Sequence, residues 1–298
     1  MTCPERQREE GTQGAAAPGQ ELQLVLLGTA GGPRPFAHRG APAQAVLHEG
    51  HVYVVDCGNG VARQMVKAGL PLADLRAIFL THHHADHMLD IGALPYLAWT
   101  DGLTSPIDVV GPPPIGKVID SFLAMIGVDL EARQRTTGRP RFDSLLNIVE
   151  VKGPGLIWES DGMRVRACVV DHPPIRPALA YRFETDRRSI VISGDTRYSP
   201  DLVALAREAD VLVHEAYHSE SVDSGTPIVN AQTLREHIVA CHTEVRDVGK
   251  VACEAEVGLL VLSHLVPADG STSDETWLTA AKANFNGPVV VGRDFQII

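Results

Sequence analysis

Short apolar runs, bounded by glycine, proline or acidic turn residues, alternate along this chain with segments whose apolar positions recur at helical spacing. Residues 21–27 read as a strand entering the glycine-rich turn 28–33. Residues 44–47 and 52–55 read as a hairpin around Glu49-Gly50, and 77–80 and 107–110 as buried strands. Helical spacing marks 61–68, stopped by Gly69 and Pro71, and then 88–99 and 115–126. The second half repeats the habit, with strands at 165–170, 178–183, 190–193, 211–213, 259–262 and 289–291. Helices are expected there at 200–208, 231–241, 244–255 and 274–284. The stretch 133–147 reads as a loop that could cover a site. Strands interleaved with helices imply the α/β class. No linker divides the pattern, so residues 21–298 are expected to form one domain. The polar stretch 1–20 reads as a disordered leader.

Composition narrows the picture. Hydrophobic residues make up 44% of 298, enough for a sizeable core. No apolar run approaches the ~18 residues of a membrane helix. The start of the chain lacks the pattern of a secretory signal, so a cytoplasmic location is expected. The five cysteines (Cys3, Cys57, Cys168, Cys241 and Cys253) include no C-x-x-C pair, which argues against a disulfide framework or a cysteine-rich zinc site. Net charge is −11. Arg133, Arg135, Arg139 and Arg141 cluster, but Glu131 and Asp143 interleave with them. With no basic stripe, the charge argues weakly against a nucleic-acid partner.

The chemistry concentrates at strand ends. His82, His84, Asp86 and His87 follow the strand 77–80, in Thr81-His82-His83-His84-Ala85-Asp86-His87. His172 follows the strand ending at 170, Asp195 the strand 190–193, and His264 the strand 259–262. Ligands of α/β sheets gather at such edges. Imidazole and carboxylate are the ligands zinc takes when cysteine is absent. In an extended turn His82 and His84 point the same way and can share one ion, while Asp86 and His87 can serve a second. Two ions ~3.5–4 Å apart need a bridging carboxylate, a role that suits Asp195 in its tight turn. Any one of His172, Asp195 and His264 alone would pass as a turn or surface residue. H-x-H-x-D-H directly after a buried strand is far more specific.

These motifs resemble the metallo-β-lactamase superfamily over nearly the whole chain after residue 20. Leu27-Gly28-Thr29, Val55-Asp56-Cys57-Gly58, Gly194-Asp195-Thr196, His214-Glu215-Ala216, Cys241-His242-Thr243 and Leu262-Ser263-His264 are similar to its ribonuclease Z and arylsulfatase-like branch. The resemblance implies a four-layer αββα sandwich with two metal ions along one edge. It assigns His82, His84 and His172 to the first ion, Asp86, His87 and His264 to the second, and Asp195 to both. Asp86 is expected to serve in catalysis as well. Asp56 resembles an aspartate that orients a ligating histidine, although a helix cap is an equal reading. Glu215 and His242 resemble a pair in which the glutamate orients a histidine that assists proton transfer. His83 falls at a variable position, His214 is open between a supporting and a structural role, and His218 and His237 read as surface or structural.

The chain departs from ribonuclease Z in one respect. The long basic arm usual between the third metal histidine and the bridging aspartate has no room between His172 and Asp195. The leading expectation is therefore a dinuclear zinc hydrolase, with Mn2+ or Fe as other metals. Its metal-activated hydroxide would cleave a small-molecule ester: a phosphodiester, an arylsulfate or a lactone. The alternative is a ribonuclease Z-like endonuclease acting on tRNA 3′ ends or short oligonucleotides. A third reading is an iron-binding redox protein or a binding module with a decayed site. No membrane partner is expected, and a homodimer is compatible with the family. Trp99, Trp158, Tyr198, Tyr217 and Phe36 are available to line a pocket, with a core role the stronger expectation for most.

Overall fold

A computed structural model describes residues 22–224 and 231–298; the leader expected at 1–20 lies outside them. Two sheets carry the fold. The first runs in sequence order, β1 (Gln23–Gly28), β2 (Ala43–His48), β3 (His51–Val55), β4 (Leu75–Phe79), β5 (Ile107–Gly111) and β6 (Leu146–Glu150). The second contains β7 (Gly155–Ser160), β8 (Met163–Val170), β9 (Ala178–Glu184), β10 (Ser189–Ile192), β11 (Val211–Tyr217), β12 (Leu259–Val266) and β13 (Val289–Val291), also in sequence order. Each sheet begins antiparallel and ends parallel. β3 to β6 are parallel neighbours, as are β10 to β13. The parallel pairs demand crossovers, and helices supply most of them.

The alternation of side chains along the strands sorts the core into layers. Tyr53, Phe79, Tyr181, Phe183 and Val261 belong to one buried cluster between the sheets. Phe79 meets the rings of Trp158, Tyr181 and Phe183 edge-on at 5.1–5.9 Å, geometry that aromatic quadrupoles favour. The opposite face of the first sheet packs on α1 (Val61–Lys67), α2 (Ala85–Met88), α3 (Ala93–Thr100) and α4 (Ile115–Met125). The opposite face of the second packs on α6 (Pro200–Ala206), α9 (Val245–Glu254) and α10 (Asp274–Lys282). On α9 the apolar stripe Val245, Val248, Val251 and Ala252 is buried against the sheet. The result is the expected αββα sandwich.

Several elements differ from expectation. The helix expected at 88–99 is broken between α2 and α3. A Cβ on Gly92 would strike the Phe122 ring at 2.3 Å, and Asp90 turns away to accept the Gly60 N–H at 2.7 Å. The loop expected at 133–147 begins inside α5 (Gly127–Thr137) and ends in the first residues of β6. Between them Phe142 and Leu145 are buried with Trp99, whose Nε1 donates to the Pro140 carbonyl at 3.0 Å. That segment is therefore pinned to α3 rather than free to close. β6 and β7 were not foreseen because both carry a mostly exposed side-chain pattern without a clear apolar run.

Candidate metal centre

β4 delivers the chain to one edge of the sandwich, and Thr81 to His84 continue without helix until α2 starts at Ala85. There His82, Asp86 and His87 are buried. His172 arrives from the end of β8. Asp195 arrives after β10 through Gly194, whose φ of 58° is left-handed; a Cβ there would lie 2.7 Å from the Leu179 carbonyl oxygen. His264 comes from within β12 rather than past its end. Glu215 pairs with Ser263 and Ala216 with Leu265, so His264 is the extra residue of a β-bulge, at φ 46°. Bulges re-aim side chains, and this one turns the imidazole into the cluster.

All seven predicted ligands converge. His82 Nε2 lies 3.0 Å from His84 Nδ1, and His172 Nε2 lies 2.9 Å from the same atom. Asp195 Oδ2 is 3.7 Å from His82 Nε2 and 3.8 Å from His172 Nε2. The same oxygen is 3.3 Å from both His87 Nε2 and His264 Nε2. Asp86 Oδ2 sits 3.6 Å from His87 Nε2 and 3.5 Å from His264 Nε2. Among the described residues four groups of donors could hold an ion, and two of them, His82–His84–His172–Asp195 and Asp86–His87–His264, together contain all seven expected ligands; the other two include His242. The donor set fits cations. His87 Nε2 and Asp195 Oδ1 are buried without a hydrogen-bond partner, which is costly unless something charged binds them.

At the first group and at the two carboxylates the electrostatics agree, whereas at His87 burial is outweighed by Asp195, Asp56 and Asp86, which raise it well above its ordinary value. Burial lowers His82 well below its ordinary value and His84 to about 4, and it lowers His172 too, leaving neutral imidazoles with lone pairs to donate. Burial pushes the Asp86 carboxyl up, but His87 and His264 outweigh it and bring it down to about 2. Burial works the same way on Asp195, and His264, His87 and His82 hold it well below the carboxylate range.

Supporting contacts surround the donors. Asp56 Oδ2 meets His87 Nδ1 at 2.8 Å, and Asp56 Oδ1 accepts the Thr81 N–H at 2.8 Å. Asp56 therefore ties the strand end to the imidazole and caps no helix; the N-cap of α1 is Gly60. Thr81 Oγ1 lies 3.0 Å from His82 Nδ1, and His172 Nδ1 donates to the Cys241 carbonyl at 2.8 Å. Glu215 Oε1 is 3.1 Å from His242 Nδ1, and Asp195 Oδ2 is 3.9 Å from the same nitrogen. Burial lowers His242, but Glu215 more than offsets it and raises it well above its ordinary value. His83 turns away to the Pro112 carbonyl at 2.9 Å. His214 is fully buried, and burial lowers it. His218 is buried beside Trp277.

Sequence reading missed one contributor, and it left a second residue near the cluster, His237, as surface or structural. Thr81 was seen only as the start of the motif; its hydroxyl and N–H both serve Asp56. His237, on α8 (Leu234–Cys241), is exposed with its ring centroid 6.3 Å from that of His84. No local signal marked it, because only the docking of α8 brings it there. Of the aromatics, Trp99, Trp158 and Tyr217 are buried, whereas Tyr198 is exposed.

Residues 51–265 match the model of the beta-lactamase superfamily domain. The Ribonuclease Z of Mycobacterium bovis (strain BCG / Pasteur 1173P2) is 33% identical over 283 residues, 92% of this chain and 97% of that protein. The chain belongs to the ribonuclease Z family of the beta-lactamase superfamily. The fold agrees. The crystal structure of human tRNase Z, short form, superposes with a TM-score of 0.68 at 22% identity, covering 93% of this chain and 98% of that one. The metallo-beta-lactamase fold protein YhfI from Bacillus subtilis gives the same TM-score at 21% identity, with the same coverage. As a member of this family the chain is a metal-dependent hydrolase acting on ester bonds.

This family membership corrects two expectations. The small-molecule ester reading, with its phosphodiester, arylsulfate and lactone candidates, and the expectation against a nucleic-acid partner both give way to relatives named Ribonuclease Z. The relatives that carry this likeness are named Ribonuclease Z, which does not support the arylsulfatase part of the expectation. Net charge misled because it sums the whole surface, whereas a polyanion is met by the charges local to one groove. Among the described residues no helix is long and apolar enough to cross a membrane.

Proposed function

We propose that this chain is an endoribonuclease of the ribonuclease Z type, cleaving a phosphodiester at tRNA 3′ ends. The observation that carries the reading is the 33% identity to Ribonuclease Z across 92% of the chain. The Glu215–His242 pair beside Asp195 supports it. The metals are two zinc ions on this reading, since imidazole and carboxylate suit zinc. His82, His84 and His172 would hold one, Asp86, His87 and His264 the other, and Asp195 both. Such ions supply a nucleophilic water at neutral pH and charge stabilisation at the phosphoryl oxygens.

The chain's own residues do the remainder. Asp56 fixes the His87 ring through Nδ1. Asp86 offers a carboxylate beside His87 and His264 to accept the proton of the attacking water. His242, held at Nδ1 by Glu215, keeps Nε2 for the leaving oxygen and delivers a proton to it. A cytoplasmic setting accords with this reading: the buried Cys57, Cys168 and Cys241 are free thiols, as suits a reducing compartment.

The test is turnover of a precursor tRNA carrying a 3′ trailer, compared with bis(p-nitrophenyl) phosphate. Cleavage at one position, with kcat/KM far above that for the small diester, is the expected result. Precursor tRNA left intact by zinc-loaded protein that still turns over the small diester would overturn the reading.

A further inference from the structure

We propose that the groove beside His172, lined by Asp171, Arg176, Tyr198 and Ser199, holds a single-stranded segment of the RNA adjoining the scissile phosphate. The inference rests on the ribonuclease reading and names a binding surface for it.

The groove encloses about 540 Å³, space for a nucleotide. It lies between the end of β8 and the start of α6, and its walls are the two segments that carry His172 and Asp195. Asp171 immediately precedes His172, and Arg197 follows Asp195 by two residues. The Arg197 N–H donates to the Asp171 carbonyl at 3.0 Å, which ties the two segments together. The groove therefore adjoins the two segments that hold His172 and Asp195.

Its side chains suit RNA. One carboxylate, Asp171, is shared by two guanidinium groups: Arg176 Nη2 meets Oδ1 at 3.1 Å, and Arg197 Nη2 contacts Oδ2. A single negative charge cannot neutralise both, and exposed ion pairs are weak enough for a phosphate to join or replace Asp171. Arginine's planar fork matches phosphate oxygens two at a time. Asp201 also lines the groove, so the cations matter by position rather than by excess.

Tyr198 supplies a π-face. It is exposed, its hydroxyl donates to Glu254 Oε2 at 2.6 Å, and the Lys250 ammonium stands 4.7 Å from the ring centroid. The ammonium covers one face, and the other face of a ring fixed at its tip is the kind of platform on which single-stranded bases stack without sequence preference. Neither the arginine pair nor this ring touches the proposed metal ligands, so no role in the chemistry itself explains them.

The experiment uses the full zinc-loaded protein and a precursor tRNA with a 3′ trailer. Arg176→Ala and Arg197→Ala should each raise KM with little change in kcat, and each should flatten the dependence of log KM on log salt by about 0.7 per lost phosphate contact. Tyr198→Ala should raise KM on the order of tenfold, and Tyr198→Phe, which keeps the ring, should restore it. Zinc content equal to the parent's shows that each variant is folded. A salt slope and KM unchanged in the Arg176→Ala/Arg197→Ala double variant, in a parent that cleaves RNA, would overturn the groove alone. A parent that cleaves no RNA at any salt overturns the groove together with the ribonuclease reading.

Discussion

His87 Nδ1 and Asp56 Oδ2 lie 2.8 Å apart, both buried, Asp56 just past the end of β3 and His87 on α2, which follows the neighbouring parallel strand β4. The contact leaves Nε2 as the only nitrogen of His87 free to bind an ion. It also fixes which way the ring faces, because Asp56 is itself held by the Thr81 N–H and hydroxyl.

Replacing Asp56 by Asn should therefore weaken metal binding by about 10–100-fold while leaving the fold in place. Competition against a chromophoric chelator measures this. Parent-like zinc affinity would show that the contact orients nothing that matters.

Asp195 Oδ2 lies within 4 Å of nitrogens from both clusters. Asp195→Ala should lose metal and RNA cleavage together. Elemental analysis of the purified variant should find fewer than two ions per chain, and activity at the level of chelator-treated protein. Full metal occupancy in this variant would count against a shared carboxylate.

The pair Glu215–His242 should act as one unit. His242→Ala is expected to lower kcat for precursor tRNA by about 10²–10⁴-fold, with KM and zinc content near the parent's. Adding Glu215→Gln to it should cost little more, since residues in contact are not additive. Two full, independent losses in the double variant would separate their roles.

Ligands that bind only the folded state stabilise it. Chelator-treated protein should melt at a lower temperature, and readdition of zinc should restore the parent value. Zinc at a thousandfold excess over Kd contributes about 4 kcal/mol per site. Identical melting curves with and without chelator would mean that the cluster holds no ion in the folded protein.

Away from the site, Phe79 is fully buried among Trp158, Tyr181 and Phe183 between the two sheets. Phe79→Ala should cost about 3–5 kcal/mol of stability by leaving a cavity, read from denaturant midpoints at constant slope. A loss under 1 kcal/mol would mean that the two sheets close over the gap.

Much of this was legible along the chain. The motif at His82–His87 is local, and the strands that bring in His172, Asp195 and His264 are marked by apolar runs. Buried strands announce themselves because both faces must be apolar. β6 and β7 carry no such run and were missed for that reason. The break between α2 and α3 was hidden as well, because Gly92 is small on account of Phe122, which lies well outside that helical segment. The substrate class was misjudged from the missing basic arm between His172 and Asp195 and from a charge total, since neither carries information about the charges local to any one groove.

By itself the amino-acid order determined which donors exist and that each stands near the end of an apolar strand, since strand, turn and motif are short-range properties. Only the tertiary structure decided which donors share a space. The bulge that turns His264 inward depends on how β12 lies against β11. The orientation of His87 depends on Asp56, and the presence of His237 and His242 at the same edge depends on where α8 docks. Those relations arise from long-range packing, in which groups distant in sequence meet because two sheets can bury their apolar faces in one way.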